Sequence, residues 1–385
     1  MRDDTLLVHA ARTRPGEGPL PPIYQASTFR LHDAAEGARV GVSTAPDRYY
    51  SRWGNPTVRA LEETLASVEG APRALATGSG MGAISALFLH LAKGRSSFVS
   101  QRALYSGTAE LLHGLLPEFG VETTFVPGPD DEGWKNAITR GVGLVYLETP
   151  SNPAMEIADI RLVCDLAADA GVPVAVDNTF ATPINQKPLA LGATYVVHSA
   201  TKYLSGHGDA SGGIVAGPAA AIDELWRTYK LLGPSLAPME AYLILRGMRT
   251  MGLRVRRQNA SALALAQWLE RHPQVARVQY PGLASDPGHA VAARQMSGFG
   301  GMLSVDVRGG LAVAQRVVEN TRLFVLAVSL GGVDSLIQHP ATMTHAPLTP
   351  AQRAEAGVTD GLLRLSVGIE DVEDLKEDLD RALSG

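Results

Sequence analysis

Only one cysteine, Cys164, stands in the 385 residues. A single thiol excludes an intrachain disulfide and fits a reducing compartment. Cys164 falls in an apolar helical pattern, which reads as a buried structural thiol rather than a nucleophile. Charge of neither sign dominates: 34 Lys and Arg meet 39 Asp and Glu, a formal net charge of −5. There is no electrostatic case for nucleic acid or for an anionic membrane. No apolar run reaches the roughly 18 residues of a membrane span. The longest candidate, Met81 to Ala92, is short and holds Ser85 and His90. The start, Met1-Arg2-Asp3-Asp4, lacks the apolar core of a secretory signal, so a cytoplasmic protein is expected. The ten histidines have no metal-ligand spacing, so no metal is expected. No G-x-S-x-G elbow is present either, which leaves a serine hydrolase unsupported.

What is present is an ordinary globular composition, 45% hydrophobic and 19% charged, long enough for two or three domains. Residues 1–54 are rich in glycine and proline (Pro15, Gly16, Gly18, Pro19, Pro21, Pro22) and lack sustained periodicity, which reads as an arm. At Asn55-Pro56 a helix begins, with Asn at the cap and Pro at the first position. Val58, Leu61, Leu65 and Val68 then share one face. Within a domain over 55–240, from about 72 to 217, short apolar runs alternate with helical patterns, the signature of βαβ units and a mostly parallel sheet covered on both faces. Strands are expected near 73–76, 97–100, 123–126, 144–147, 173–176, 195–198 and 213–216. The remainder, 241–385, reads as a smaller α+β domain, with strands near 275–280, 302–307 and 362–366 and helices near 312–320 and 372–383. The fold class is therefore α/β.

The chemistry concentrates where strands end. Val174-Ala175-Val176-Asp177 and Tyr195-Val196-Val197-His198 both read as buried strands, the second leading into Ser199-Ala200-Thr201-Lys202. As neighbours in a parallel sheet they would bring Asp177 and Lys202 to one carboxyl edge, where open α/β sheets bind ligands. A lysine able to form a Schiff base and an aspartate able to hold a pyridinium proton are the groups pyridoxal phosphate (PLP) needs most. A surface lysine and a capping aspartate would look the same in isolation. Thr77-Gly78-Ser79-Gly80-Met81-Gly82 follows a strand and opens a helix, a good phosphate site. It also fits G-x-G-x-x-A, so an NADP-dependent oxidoreductase using Arg102 is an alternative. Tyr50 and Arg52 would point the same way in an extended segment and suit a phosphate. Tyr105 follows a strand and could stack on a flat cofactor and exchange protons. Prolines on either side fix the loop holding Asn152. Arg364 is a lone cation in an apolar strand, and a substrate carboxylate would partner it.

Together these motifs closely resemble the PLP-dependent enzymes of cysteine and methionine metabolism. That group includes cystathionine γ-lyase, cystathionine γ-synthase, methionine γ-lyase and cystathionine β-lyase. The match runs from Pro21-Pro22-Ile23-Tyr24-Gln25 to Ser366-Val367-Gly368-Ile369-Glu370, through Tyr50-Ser51-Arg52, Asp177-Asn178-Thr179-Phe180, Ser199-Ala200-Thr201-Lys202-Tyr203 and Ser329-Leu330-Gly331-Gly332. The resemblance implies a fold type I, aminotransferase-like architecture whose 55–240 unit binds PLP. It implies that Lys202 carries PLP and shuttles protons, that Asp177 keeps the ring nitrogen protonated, and that Tyr105 stacks on the ring. Gly80, Met81, Ser199 and Thr201 would hold the phosphate, with Thr179 beside them and Tyr50 and Arg52 arriving from a neighbouring subunit of a homotetramer. Asn152 would contact the ring hydroxyl or the substrate carboxylate, and Arg364 with Ser329 would bind that carboxylate. The implied reaction is γ-elimination of methionine or cystathionine to 2-oxobutanoate and ammonia. γ-Replacement on an O-acylhomoserine with cysteine is the alternative. Cystathionine-specific γ-enzymes often carry glutamates where Tyr49 and Val328 stand here, which leans toward an uncharged thioether. Gly107 replaces a cysteine usual in methionine γ-lyases, and Gln101 replaces a usual aspartate.

Overall fold

The computed structural model describes residues 1–11, 18–346, 349, 353 and 357–385. Its larger sheet has seven strands: β1 (Arg73–Thr77), β2 (Ser97–Gln101), β3 (Glu122–Val126), β4 (Val145–Glu148), β5 (Val174–Asp177), β6 (Tyr195–Ser199) and β7 (Gly213–Gly217). Their spatial order is β1-β7-β6-β5-β4-β2-β3. From β6 to β3 every pair is parallel. β7 runs against both of its neighbours, β1 and β6. Strands β4, β5 and β7 are buried along their whole length, as expected of runs covered on both faces. Successive side chains divide between two cores. Tyr146 and Ala175 face helices Gly80–Leu91 and Ala219–Leu232, packing with Leu87, Phe88 and Trp226. Val145, Leu147, Val174 and Val176 face helix Ile160–Ala170, packing with Val163 and Ala167. Cys164 lies in this second core, its thiol pushed up to about 12 by burial, the environment of an inert thiol.

The smaller sheet has five strands: β8 (Val275–Gln279), β9 (Met302–Val307), β10 (Val325–Leu326), β11 (Leu336–Gln338) and β12 (Leu362–Ser366). Their order is β10-β11-β12-β9-β8, antiparallel except for β10–β11. Leu303, Val305, Leu363 and Leu365 pack on helices Met251–Leu269, Gly310–Asn320 and Val372–Ser384. β10 and β11 are absent from the expected strands because two and three residues are too few to show a period.

Helix Pro56–Glu69 starts as its sequence requires, with the Asn55 side chain accepting from Thr57 N at 2.9 Å. It closes on Gly70, whose φ of +72° a side chain would strain. The first 54 residues are not without regular structure. Helices Asp3–His9 and Ala34–Gly41 form there, and Leu7 is buried against the large core. At seven and eight residues, each helix is too short for its apolar face to repeat. Residues 12–17, which include Pro15 and Gly16, lie outside the described residues. Among the described residues no helix is long and apolar enough to cross a membrane.

Candidate active site

Parallel pairing of β4, β5 and β6 sets Glu148 opposite Asp177 and Asp177 opposite Val197, so these strands end together at one carboxyl edge. Past Ser199 the chain turns through Lys202 and returns as β7. This turn is tied at its neck, because Thr201 N donates to Gly212 O at 3.3 Å and Gly212 N donates to Thr201 Oγ1 at 3.0 Å. Helix Gly80–Leu91 begins beside it, capped by Ser79 Oγ, which accepts from Gly82 N at 3.0 Å. The first amides of that helix have no acceptor within it and favour an anion. A Cβ on Gly80 would lie 2.9 Å from the Ser199 Cβ, so only glycine lets the helix start this close to β6. These elements enclose a cavity of about 400 Å³.

The expected residues Gly80, Met81, Tyr105, Asn152, Asp177, Thr179, Ser199, Thr201 and Lys202 line that cavity from the large-sheet side. Val328, Ser329 and Arg364 line it from the small-sheet side. Tyr49, Tyr50 and Arg52 do not line it. Tyr50 pairs with Thr28 in an antiparallel bridge and then opens a turn, its carbonyl accepting from Trp53 N at 2.7 Å. The Arg52 guanidinium comes to lie 5.3 Å over the Tyr50 ring because of that turn, and it donates to Lys230 O. Tyr49 packs against Trp53, with 5.2 Å between ring centroids.

Each charged group in the cavity is held in a particular electrostatic state. Burial, with the nearby Arg364 charge, brings the Lys202 ammonium down to about 8. Its Nζ donates to Ser329 Oγ at 2.9 Å. Asp177 is buried, and loss of water raises its carboxyl above the usual range. Its orientation is fixed by two donors, Thr179 N to Oδ1 at 2.9 Å and Tyr146 OH to Oδ2 at 3.2 Å. Thr179 also accepts from Ser199 N at 2.8 Å, linking the ends of β5 and β6. Arg364 is 4% exposed and sits opposite Gln338 across β12 and β11. Its Nη1 donates to Asn152 Oδ1 at 2.9 Å and its Nη2 to Ser329 O at 2.8 Å, while Nε is buried without a partner. A buried guanidinium with a spare N–H is suited to a carboxylate. Ser329 holds a φ of +82°, a conformation that costs a non-glycine residue roughly 1–3 kcal/mol and persists where surroundings enforce it.

Sequence reasoning missed Tyr146 and Glu148, both on β4, and Gln338 and Thr344, which line the cavity. The available signal was a tyrosine and a glutamate two apart in an otherwise apolar strand, hence on one face. It also left Gln101 without a role. Gln101 is buried, and its Oε1 accepts from Glu148 N at 3.3 Å.

An amine kept near neutrality, a carboxylate fixed by two donors, a helix start that admits no Cβ and a buried arginine are the groups that PLP and an amino acid require. The residues present fit that cofactor. Comparison with known proteins agrees. The family model for the Cys/Met metabolism PLP-dependent enzymes matches residues 4–384. The chain is 42% identical to the O-succinylhomoserine sulfhydrylase of Pseudomonas aeruginosa, over 99% of this chain and 95% of the relative. It is 43% identical to an L-methionine γ-lyase of Fusobacterium nucleatum subsp. polymorphum, over 98% and 97%. A crystal structure of cystathionine γ-synthase from Xanthomonas oryzae pv. oryzae superposes with a TM-score of 0.93 at 40% identity, covering 100% of this chain and 98% of that one. The chain belongs to the Cys/Met metabolism PLP-dependent enzymes, with the fold type I architecture of that family and PLP as its cofactor.

Proposed function

We propose that this enzyme acts on sulfur amino acids by γ-elimination, converting methionine or cystathionine and water to 2-oxobutanoate, ammonia and the departing thiol. The observation that carries the reading is the meeting of Lys202, Asp177 and Arg364 in one cavity, with the Lys202 amine near neutrality. When bound, PLP supplies an electron sink beside the substrate Cα. Everything else falls to side chains of the chain. Arg364 receives the α-carboxylate, with Asn152 and Ser329 holding its fork in place. Lys202 Nζ holds the cofactor at rest, then takes the Cα proton and passes it on. Asp177 would keep the ring nitrogen protonated, Tyr105 would stack on the ring, and Gly80, Met81, Ser199 and Thr201 would hold the phosphate with Thr179 beside them. Val328 lines the same cavity and offers an uncharged side chain suited to a thioether.

Tyr50, Arg52 and Tyr49 would complete this site from a neighbouring subunit of a homotetramer, since they do not line the cavity of their own chain. A cytoplasmic location belongs to the same reading. So does the division into an arm over 1–54, a PLP-binding domain over 55–240 and a C-terminal domain over 241–385.

The identity to an O-succinylhomoserine sulfhydrylase favours a second reading, γ-replacement on an O-acylhomoserine by a thiol. One experiment separates the two. The PLP-loaded enzyme is assayed for 2-oxobutanoate from L-methionine, from L-cystathionine, and from O-succinylhomoserine with and without a thiol. Faster release from methionine or cystathionine supports the lyase. Thiol-dependent loss of O-succinylhomoserine without 2-oxobutanoate supports replacement. Turnover retained by Lys202→Ala refutes both.

A further inference from the structure

Glu148 ends β4 inside the cavity wall, 4% exposed and directly opposite Asp177. A carboxylate buried this far must be compensated. Its compensation comes from two backbone donors on different loops. Tyr105 N donates to Oε2 at 2.8 Å, and Asn152 N donates to Oε1 at 2.9 Å. One side chain thus bridges the loop after β2 and the loop after β4. Both loops carry residues of the site: Tyr105 stands against the cavity, and Asn152 Oδ1 accepts from Arg364 Nη1. Burial pushes the Glu148 carboxyl well up, and the Asp177 charge adds to this, while the two N–H donors and Arg364 oppose it. The Tyr105 side chain is 43% exposed, so burial of its ring does not fix its place.

We propose that Glu148 is a positioning residue: it sets where Tyr105 and Asn152 stand and, through Asn152, how Arg364 presents its guanidinium. This rests on the reading of Tyr105 as the ring's stacking partner and of Arg364 as the carboxylate receiver. Glu148→Gln keeps the shape but turns one acceptor into a donor, so one of the two N–H groups loses its partner. Glu148→Asp keeps the carboxyl group but is one methylene short of bridging both loops.

The test uses the PLP-loaded protein. It reads the dissociation constant of 2-aminoisobutyrate, an amino acid without a Cα hydrogen, together with KM, kcat and the visible circular dichroism of the bound cofactor. Both variants are expected to weaken 2-aminoisobutyrate about 10-fold, to raise KM with a smaller fall in kcat, and to change the cofactor dichroism. Thermal melting shows whether each variant folds, and Glu148→Asp carries the test if Glu148→Gln does not. An unchanged dissociation constant and an unchanged dichroism in a folded variant overturn the inference, whatever its melting temperature. Arg364→Gln, run in parallel, separates this from the underlying reading. Affinity lost in Arg364→Gln but kept in the Glu148 variants overturns the role of Glu148 alone. Affinity kept in all three overturns the carboxylate role of Arg364, and with it the route through Asn152.

Discussion

Lys202 should react as an amine of pKa about 8 rather than 10.5. Burial is the larger cause and the Arg364 charge the smaller. That difference corresponds to about 3 kcal/mol disfavouring the ammonium. At pH 7.5 it raises the neutral fraction from about 0.1% to about 24%, roughly 200-fold more free amine. The assay mixes apoprotein rapidly with PLP between pH 6 and 10.5 and follows the absorbance of bound cofactor. Dividing each rate by that of a simple alkylamine at the same pH removes the aldehyde's own titration. The relative rate should be highest at low pH and fall as the free alkylamine catches up, with the Lys202 rate itself levelling off above about 8. Arg364→Met should move that bend upward but leave it below 10.5, because burial remains. Between about 8 and 10.5 the unfolded chain holds the proton that folded Lys202 has lost, so the apoprotein gains stability as pH rises through that window. A Lys202 rate still climbing in proportion to hydroxide beyond pH 9.5 would mean that the amine is not depressed at all.

Gly80→Ala places a Cβ 2.9 Å from that of Ser199 and should weaken PLP about tenfold, ~1.4 kcal/mol, by equilibrium dialysis; unchanged affinity would show that the helix start can yield. Asp378 accepts from the backbone N–H groups of Arg322, Leu323 and Phe324 at 2.8, 2.8 and 3.0 Å. Asp378→Ala should therefore lower unfolding free energy by roughly 2–4 kcal/mol in urea, more than one lost hydrogen bond, because three donors are stranded. Burial raises the Asp378 carboxyl, but the three N–H groups outweigh it and hold it below its ordinary 3.8. Its contribution is thus complete above pH 3.8 and fades as pH falls further, so the gap between wild type and variant should narrow in acid.

The large sheet was legible because its strands are continuous apolar runs and its helices begin with local caps, such as Asn55. Lys202 and Asp177 could be placed together because parallel neighbours end at the same edge, a geometric rule independent of the intervening residues. The glycine loop at Gly78–Gly82 was ambiguous alone, since a dinucleotide site uses the same backbone freedom. Less was legible where a contact joins distant segments. Glu148 reads as one polar residue after an apolar run, and only the fold brings Tyr105 N to it across 43 residues. Gln338 lies on a three-residue strand that shows no period, yet it faces Arg364. The pairing of Arg52 with Tyr50 arises from a turn that a two-residue spacing does not specify.

The cavity draws its walls from two sheets, and their separate ancestry of constraint matters for how such a protein can diverge. Asp177 and Ser199 end strands held in register, Thr179 accepts from Ser199 N, and Lys202 lies in the turn that Thr201 ties to Gly212. A change at any of them disturbs the reagent that every reaction would share. Val328, Ser329 and Arg364 arrive on the other sheet and its loops, and two hydrogen bonds, Lys202 to Ser329 and Arg364 to Asn152, join the two sides among these groups. Heritable change at Val328 would therefore alter which amino acid is admitted, and what leaves from it, while Arg364 and the first set stand still. A protein built this way can acquire a new clientele without reinventing its chemistry.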